Sequence, residues 1–105
     1  MAASSAKVDV KQPHYLAAFD LSAADIATFD AYEAKVLPLL AAHGGELLWR
    51  VRSVDRATEY HLLRFASETG LQRYRQDPLR MAAAPLFASS GALASVTEVT
   101  LVSSI

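Results

Sequence analysis

Cysteine is absent from this 105-residue chain. That removes disulfides, a thiolate nucleophile and any cysteine-ligated zinc or iron–sulfur site together. No apolar run approaches the ~18 or more residues of a membrane helix, and residues 1–12, "MAASSAKVDVKQ", lack the apolar stretch of a signal peptide. A surplus of one charge is missing too. Ten Lys and Arg face eleven Asp and Glu, for a net charge of −1 and a pI of about 6.3. Such a balance gives no electrostatic footprint for nucleic acid or an anionic membrane, so neither is expected as a partner. The expected location is cytoplasmic.

Metal-ligand spacing is also missing. His14, His43 and His61 fall on separate predicted elements, with no His–x–x–x–His pair. There is no glycine-rich phosphate loop and no Gly–x–Ser–x–Gly elbow. No metal and no cofactor is therefore expected, and no residue set amounts to a catalytic signature.

What is present is apolar and periodic. The chain is 52% hydrophobic and 20% charged, with a mean hydropathy of +0.18. That composition predicts a folded domain at 13–105 behind a flexible tail at 1–12, with apolar surface left over for an oligomer. "HYLAAFDL" (14–21) reads as a first strand. Residues 22–43 shift to helical spacing, with Ile26, Phe29, Glu33 (through its methylenes), Val36, Leu37 and Leu40 along one stripe. Ser22 or Asp25 is placed to cap this helix, Pro38 to kink or break it, and Gly44–Gly45 to stop it. "ELLWRVRSV" (46–54) and "TEYHLLRFA" (58–66) flank a short polar turn and predict an antiparallel hairpin. A second helix follows over 67–76 with Ser67 as cap. Asp77-Pro78 restarts a helix that Pro85 ends or bends, and 95–103 is the final strand. The order β–α–β–β–α–β predicts a ferredoxin-like α+β fold, a four-stranded antiparallel sheet with both main helices on one face. The other face is then bare, and a second copy of the chain is the expected partner for it.

With the hairpin turn centred near Arg56, alternation puts Leu47, Trp49, Val51, His61, Leu63 and Phe65 under the helices. Leu48, Arg50, Arg52, Tyr60, Leu62 and Arg64 then share the bare face. Three arginines there form either an ion-pair set, with Glu46, Glu59 or Glu98, or a site for an anionic ligand. The ion-pair reading is favoured, and a one-residue slip in one strand would separate the trio.

"FDAYEAKVLPLLAAHGGELLWR" resembles the helix–Gly–Gly–strand segment of an uncharacterised bacterial family, a domain of unknown function in the dimeric α/β-barrel superfamily. The likeness runs through Phe29 and Tyr32, Lys35-Val36, Pro38, Gly44-Gly45, "RFAS" (64–67) and "YRQDPLR" (74–80), and spans roughly residues 13–103. It implies that two sheets pack bare face to bare face across a twofold axis. It also implies that a small-molecule cavity would lie between each sheet and its own helices. The superfamily includes cofactor-free monooxygenases, muconolactone-isomerase-like enzymes, chlorite-dismutase-like haem proteins and stress-responsive proteins. His43 stands where the family often has an aromatic, and the hairpin turn is shorter.

His61, set beside Trp49 on the helix-covered face, is the acid–base candidate, although such a histidine is more often a hydrogen-bonded core residue. Trp49, Tyr60, Arg50 and Arg64 are the ligand-binding candidates: Trp49 as a wall, Tyr60 or an arginine as an oxyanion holder. Ser67 reads as a helix cap. The first functional reading is a homodimer that binds a small anionic or aromatic organic ligand. The second is a cofactor-independent isomerase or monooxygenase acting on a small planar organic acid or enone. The third is a purely structural or stress-related dimer.

Overall fold

The structure, a computed structural model, describes residues 12–102. The tail expected at 1–12 therefore lies outside the described residues apart from Gln12, as does Ser103 of the expected last strand. The elements run β1 (His14–Asp20), α1 (Ile26–Val36), a 3-10 segment (Leu37–His43), β2 (Gly45–Arg52), β3 (Thr58–Phe65), α2 (Gly70–Arg75), α3 (Pro78–Ser90) and β4 (Leu93–Val99). The strands form one antiparallel sheet in the order β2-β3-β1-β4. This is the ferredoxin-like α+β arrangement expected from the element order. Among the described residues no helix is long and apolar enough to cross a membrane.

Local chemistry accounts for the boundaries. Asp25 caps α1 by accepting from the Thr28 N–H at 3.3 Å. Pro38 lacks an N–H, and the helix changes to 3-10 geometry at Leu37, so the kink or break expected at Pro38 is a division into two segments. Gly44 closes the second with φ 70°. Asp77 caps α3 through the Leu79 N–H at 2.8 Å and also accepts from His43 Nε2 at 2.7 Å, tying the end of the 3-10 segment to the next helix. Two expectations need correction. Ser67 does not cap α2, which starts at Gly70 behind Thr69 with no side-chain cap. Nor does Pro85 end α3, which continues to Ser90 and stops at Gly91, φ 83°.

Odd-numbered side chains of β1 and β3 point to the helices. Phe19 packs with Phe29 at one end, and Leu63 and Phe65 pack with Leu40 and Tyr74 at the other. Phe65 is fully buried, and Gly45 and Gly70 leave it room: a Cβ on either would come within 2.6 Å of its ring.

The hairpin departs from the expected register. Leu47 pairs with Leu63, but Trp49 pairs with Leu62, so one extra residue, Leu48, is bulged out of β2. Beyond the bulge every side chain of β2 changes face. Arg50 and Arg52, opposite His61 and Glu59, turn towards the helices. Trp49 and Val51, opposite Leu62 and Tyr60, turn to the bare face. Trp49 is therefore not a neighbour of His61, and Arg64 is parted from the other two arginines. Arg64 instead pairs with Glu46.

Candidate functional site

Arg50 and Arg52 meet acids as soon as they reach the helix side. Glu59, one per cent exposed, accepts from Arg50 Nε at 2.7 Å, from Arg52 Nε at 2.5 Å and from His61 Nε2 at 2.7 Å. Asp30 on α1 takes the outer ends of both guanidinium groups. Two cations and two carboxylates thus neutralise one another in an ion-pair set, and the forks of Arg50 and Arg52 are occupied by protein groups. Among the described residues no group of histidine and acidic side chains is placed to hold a metal ion. Glu59 is instead engaged by two arginines and a histidine.

His61 is buried against the Phe19 ring, with centroids 4.7 Å apart. An ionised carboxylate only accepts, so the contact with Glu59 places the imidazole proton on Nε2. The lone pair is then on Nδ1, which faces Oε2 of Glu33 at 3.8 Å. Burial lowers the His61 pKa, opposed by its bond to Glu59, and the ring is neutral at pH 7. Glu33 projects from α1 one turn beyond Phe29 and is three per cent exposed. Burial raises its pKa to about 7, with Arg50 pulling it down and Glu59 pushing it up. A carboxyl poised near neutrality therefore lies beside a neutral imidazole of fixed tautomer. Together they form a pair able to take and return a proton at physiological pH.

Both groups line a cavity of about 400 Å³ between the sheet and the helices. Its apolar walls include Phe19, Leu63 and Phe87, with Tyr32 and Tyr74 adding aromatic surface. Tyr32 lies against Phe87 at 5.2 Å between centroids. Burial pushes the Tyr74 hydroxyl up to about 12, and it donates to the Val36 carbonyl at 3.1 Å. An aromatic-walled space of this size with a few polar groups suits a small planar molecule.

Of the residues singled out from sequence, only His61 lines this cavity. Trp49 and Tyr60 are 42% and 39% exposed on the bare face, Arg50 is held by Glu59 and Asp30, and Arg64 by Glu46. The cavity contributors missed were Tyr32, Glu33, Tyr74 and Arg80, with Glu59 behind His61. Glu33 carried a signal. It fell inside the apolar stripe of α1, where only its methylenes were expected to be buried, and its carboxyl is buried with them.

No family model matches the sequence, and no curated protein does. Solved structures do resemble the fold. They include SnoaB, a cofactor-independent oxygenase from Streptomyces nogalater, at 12% identity and a TM-score of 0.73, over 90% of this chain and 97% of that one. Rv0793 from Mycobacterium tuberculosis aligns at 19% identity and a TM-score of 0.65, over 88% and 97%. RPA0582 from Rhodopseudomonas palustris, a protein of unknown function, aligns at 12% identity and a TM-score of 0.67, over 96% and 95%. The likeness establishes the ferredoxin-like α+β fold alone.

Proposed function

We propose that this chain is a cofactor-independent acid–base enzyme acting on a small planar organic molecule bound between its sheet and its helices. The observation that carries this reading is Glu33 beside His61 in an aromatic-walled cavity, with Glu59 fixing the imidazole tautomer. Removing a proton from an activated C–H or O–H of such a molecule leaves an anion spread over its π system. Reprotonation at another carbon is isomerisation. Attack by dioxygen at the same carbon turns an activated methylene into a carbonyl, with the second oxygen atom leaving as water. SnoaB, with the same fold, is a cofactor-independent oxygenase, which favours the oxygenase branch.

The test is a screen of planar phenols and cyclic enones, followed by dioxygen uptake and by absorbance. Wild type is expected to turn over at least one of them. His61→Gln keeps a donor for Glu59 but loses the basic nitrogen, and is expected to reduce kcat by roughly 10²–10⁴-fold with binding retained. Ligands that bind wild type with no turnover by either readout would reduce the site to a binding pocket.

The bare face supports a homodimer. Trp49, Val51 and Tyr60 lie on it at 42%, 50% and 39% exposure, beside the nearly buried Leu62, and Leu93 stands on the same face of the far edge strand. Aromatic and aliphatic surface of this kind suits the core of an interface, where tryptophan is a frequent hot spot. Light scattering after gel filtration is expected to give twice the 11.3 kDa chain mass. Trp49→Arg is expected to bring it to one chain mass. A monomeric wild type would remove the dimer.

A further inference from the structure

Arg80 is one of two arginines lining the cavity that the acid–base reading leaves unused. It stands in the first turn of α3, where a cation opposes the helix dipole. Its Nε is buried and has no hydrogen-bond partner. Among the described residues it is the only buried side-chain nitrogen or oxygen in that condition. Native proteins rarely leave such a donor unmade. No carboxylate lies within ion-pair distance of its guanidinium among the described residues, and its charge reaches Glu33 only at longer range. Its head rests over the Tyr74 ring at 4.7 Å from the centroid and close enough to the hydroxyl to pull that group's pKa down, while the hydroxyl donates to the Val36 carbonyl and Nε stays unpaired. The contrast with Arg50, Arg52 and Arg64 is sharp, since each of those meets an acid.

The charge around the cavity points the same way. Its ionisable lining is Glu33, His61, Arg75 and Arg80, together with the two tyrosines. With His61 neutral and Glu33 only part-ionised at pH 7, the two arginines leave the cavity with a net positive field. The Nε edge of a guanidinium, with its adjacent terminal N–H, matches the two oxygens of a carboxylate. The Tyr74 face beneath Arg80 extends the aromatic wall to that point.

We propose that the cavity selects a planar aromatic carboxylate and that Arg80 is the specificity residue that receives its carboxylate. This rests on the reading of the cavity as a substrate site. It narrows the substrate class from planar molecules in general to those carrying their own anionic group.

The experiment is calorimetric titration of 2-naphthoate and its neutral isostere 2-naphthamide, at pH 7, into wild type and two variants. Wild type is expected to bind the carboxylate at least tenfold tighter than the amide. Arg80→Gln is expected to bring that ratio close to one by weakening naphthoate alone, with naphthamide binding serving as the check on folding. Arg75→Gln is expected to leave the ratio above five. Equal affinities in wild type, or a preference that survives Arg80→Gln, would overturn the assignment and leave the cavity reading standing. Failure of wild type to bind either compound would overturn the cavity reading and this inference with it.

Discussion

Glu59→Ala is expected to destabilise the protein by about 3–5 kcal/mol, the cost of breaking a buried charge set by removing one partner. For a domain near 100 residues that is a fall in Tm of roughly 15–25 °C. Three donors converge on this one carboxylate, from Arg50, Arg52 and His61. Asp30 remains to hold the outer ends of the part-exposed arginines, but their Nε groups lose their acceptor and the buried His61 N–H would be left unpaired. Burial pushes the Glu59 pKa up, and the bonds from His61, Arg50 and Arg52 outweigh it, so the net direction is down. A carboxylate held down in this way contributes stability that is present above its unfolded value and lost as pH falls through its folded one. Acid unfolding below about pH 4.5, the ordinary carboxylate value, should therefore weaken in Glu59→Ala. Urea titrations at pH 7 and pH 4 measure both effects. A midpoint within 0.3 M of wild type at pH 7 would mean that the cluster is a surface decoration. The same variant loses the acceptor that fixes the His61 tautomer, which nitrogen chemical shifts of the ring would report as a mixture.

The fold was readable because each boundary had a local cause: Asp25 and Asp77 as caps, Pro38 as a break, Gly44 and Gly91 as stops. The faces of β2 were not readable, and the reason is physical. In "ELLWRVR" the rule that apolar residues face the helices places Trp49 and Val51 inside and the arginines outside. That rule fails when the bare face is itself apolar, because both parities then offer a plausible buried side. The bulge at Leu48 settles the matter, and no glycine marks it. Its consequence reaches the site. With Arg50 and Arg52 turned inward, Glu59 stays ionised, His61 holds its proton on Nε2, and the lone pair faces Glu33. Glu33 and Arg80 were legible only as oddities, an acid in an apolar stripe and a cation in a first helical turn. Both are local conflicts of the kind that functional sites retain.

Glu33→Gln is expected to raise stability at pH 8 while lowering turnover. Burial raises the Glu33 pKa from 4.5 to about 7. Across that interval the unfolded chain releases a proton that the folded chain keeps, so this carboxyl destabilises the fold as pH rises from about 4.5 to 7. At 1.36 kcal/mol per pH unit the loss at pH 8 is about 3 kcal/mol. Glutamine of the same shape has no such penalty, so the variant is expected to match wild type within about 1 kcal/mol at pH 4 and exceed it by about 2–3 kcal/mol at pH 8. His61 contributes the opposite slope. Its folded pKa lies below 6.5, so the unfolded chain gains a proton first as pH falls below that value. Just below pH 6.5 the two effects oppose each other in wild type, because the unfolded chain gains on His61 a proton to match the one that the folded chain keeps on Glu33. Glu33→Gln removes one side of that balance, so its stability relative to wild type should fall as pH drops from 7 towards 4.5. Chemical denaturation from pH 4 to 8 reads this change of slope directly. A variant parallel to wild type throughout would mean that folded Glu33 does not hold its proton up to neutral pH, and the acid–base reading of the cavity would lose its foundation.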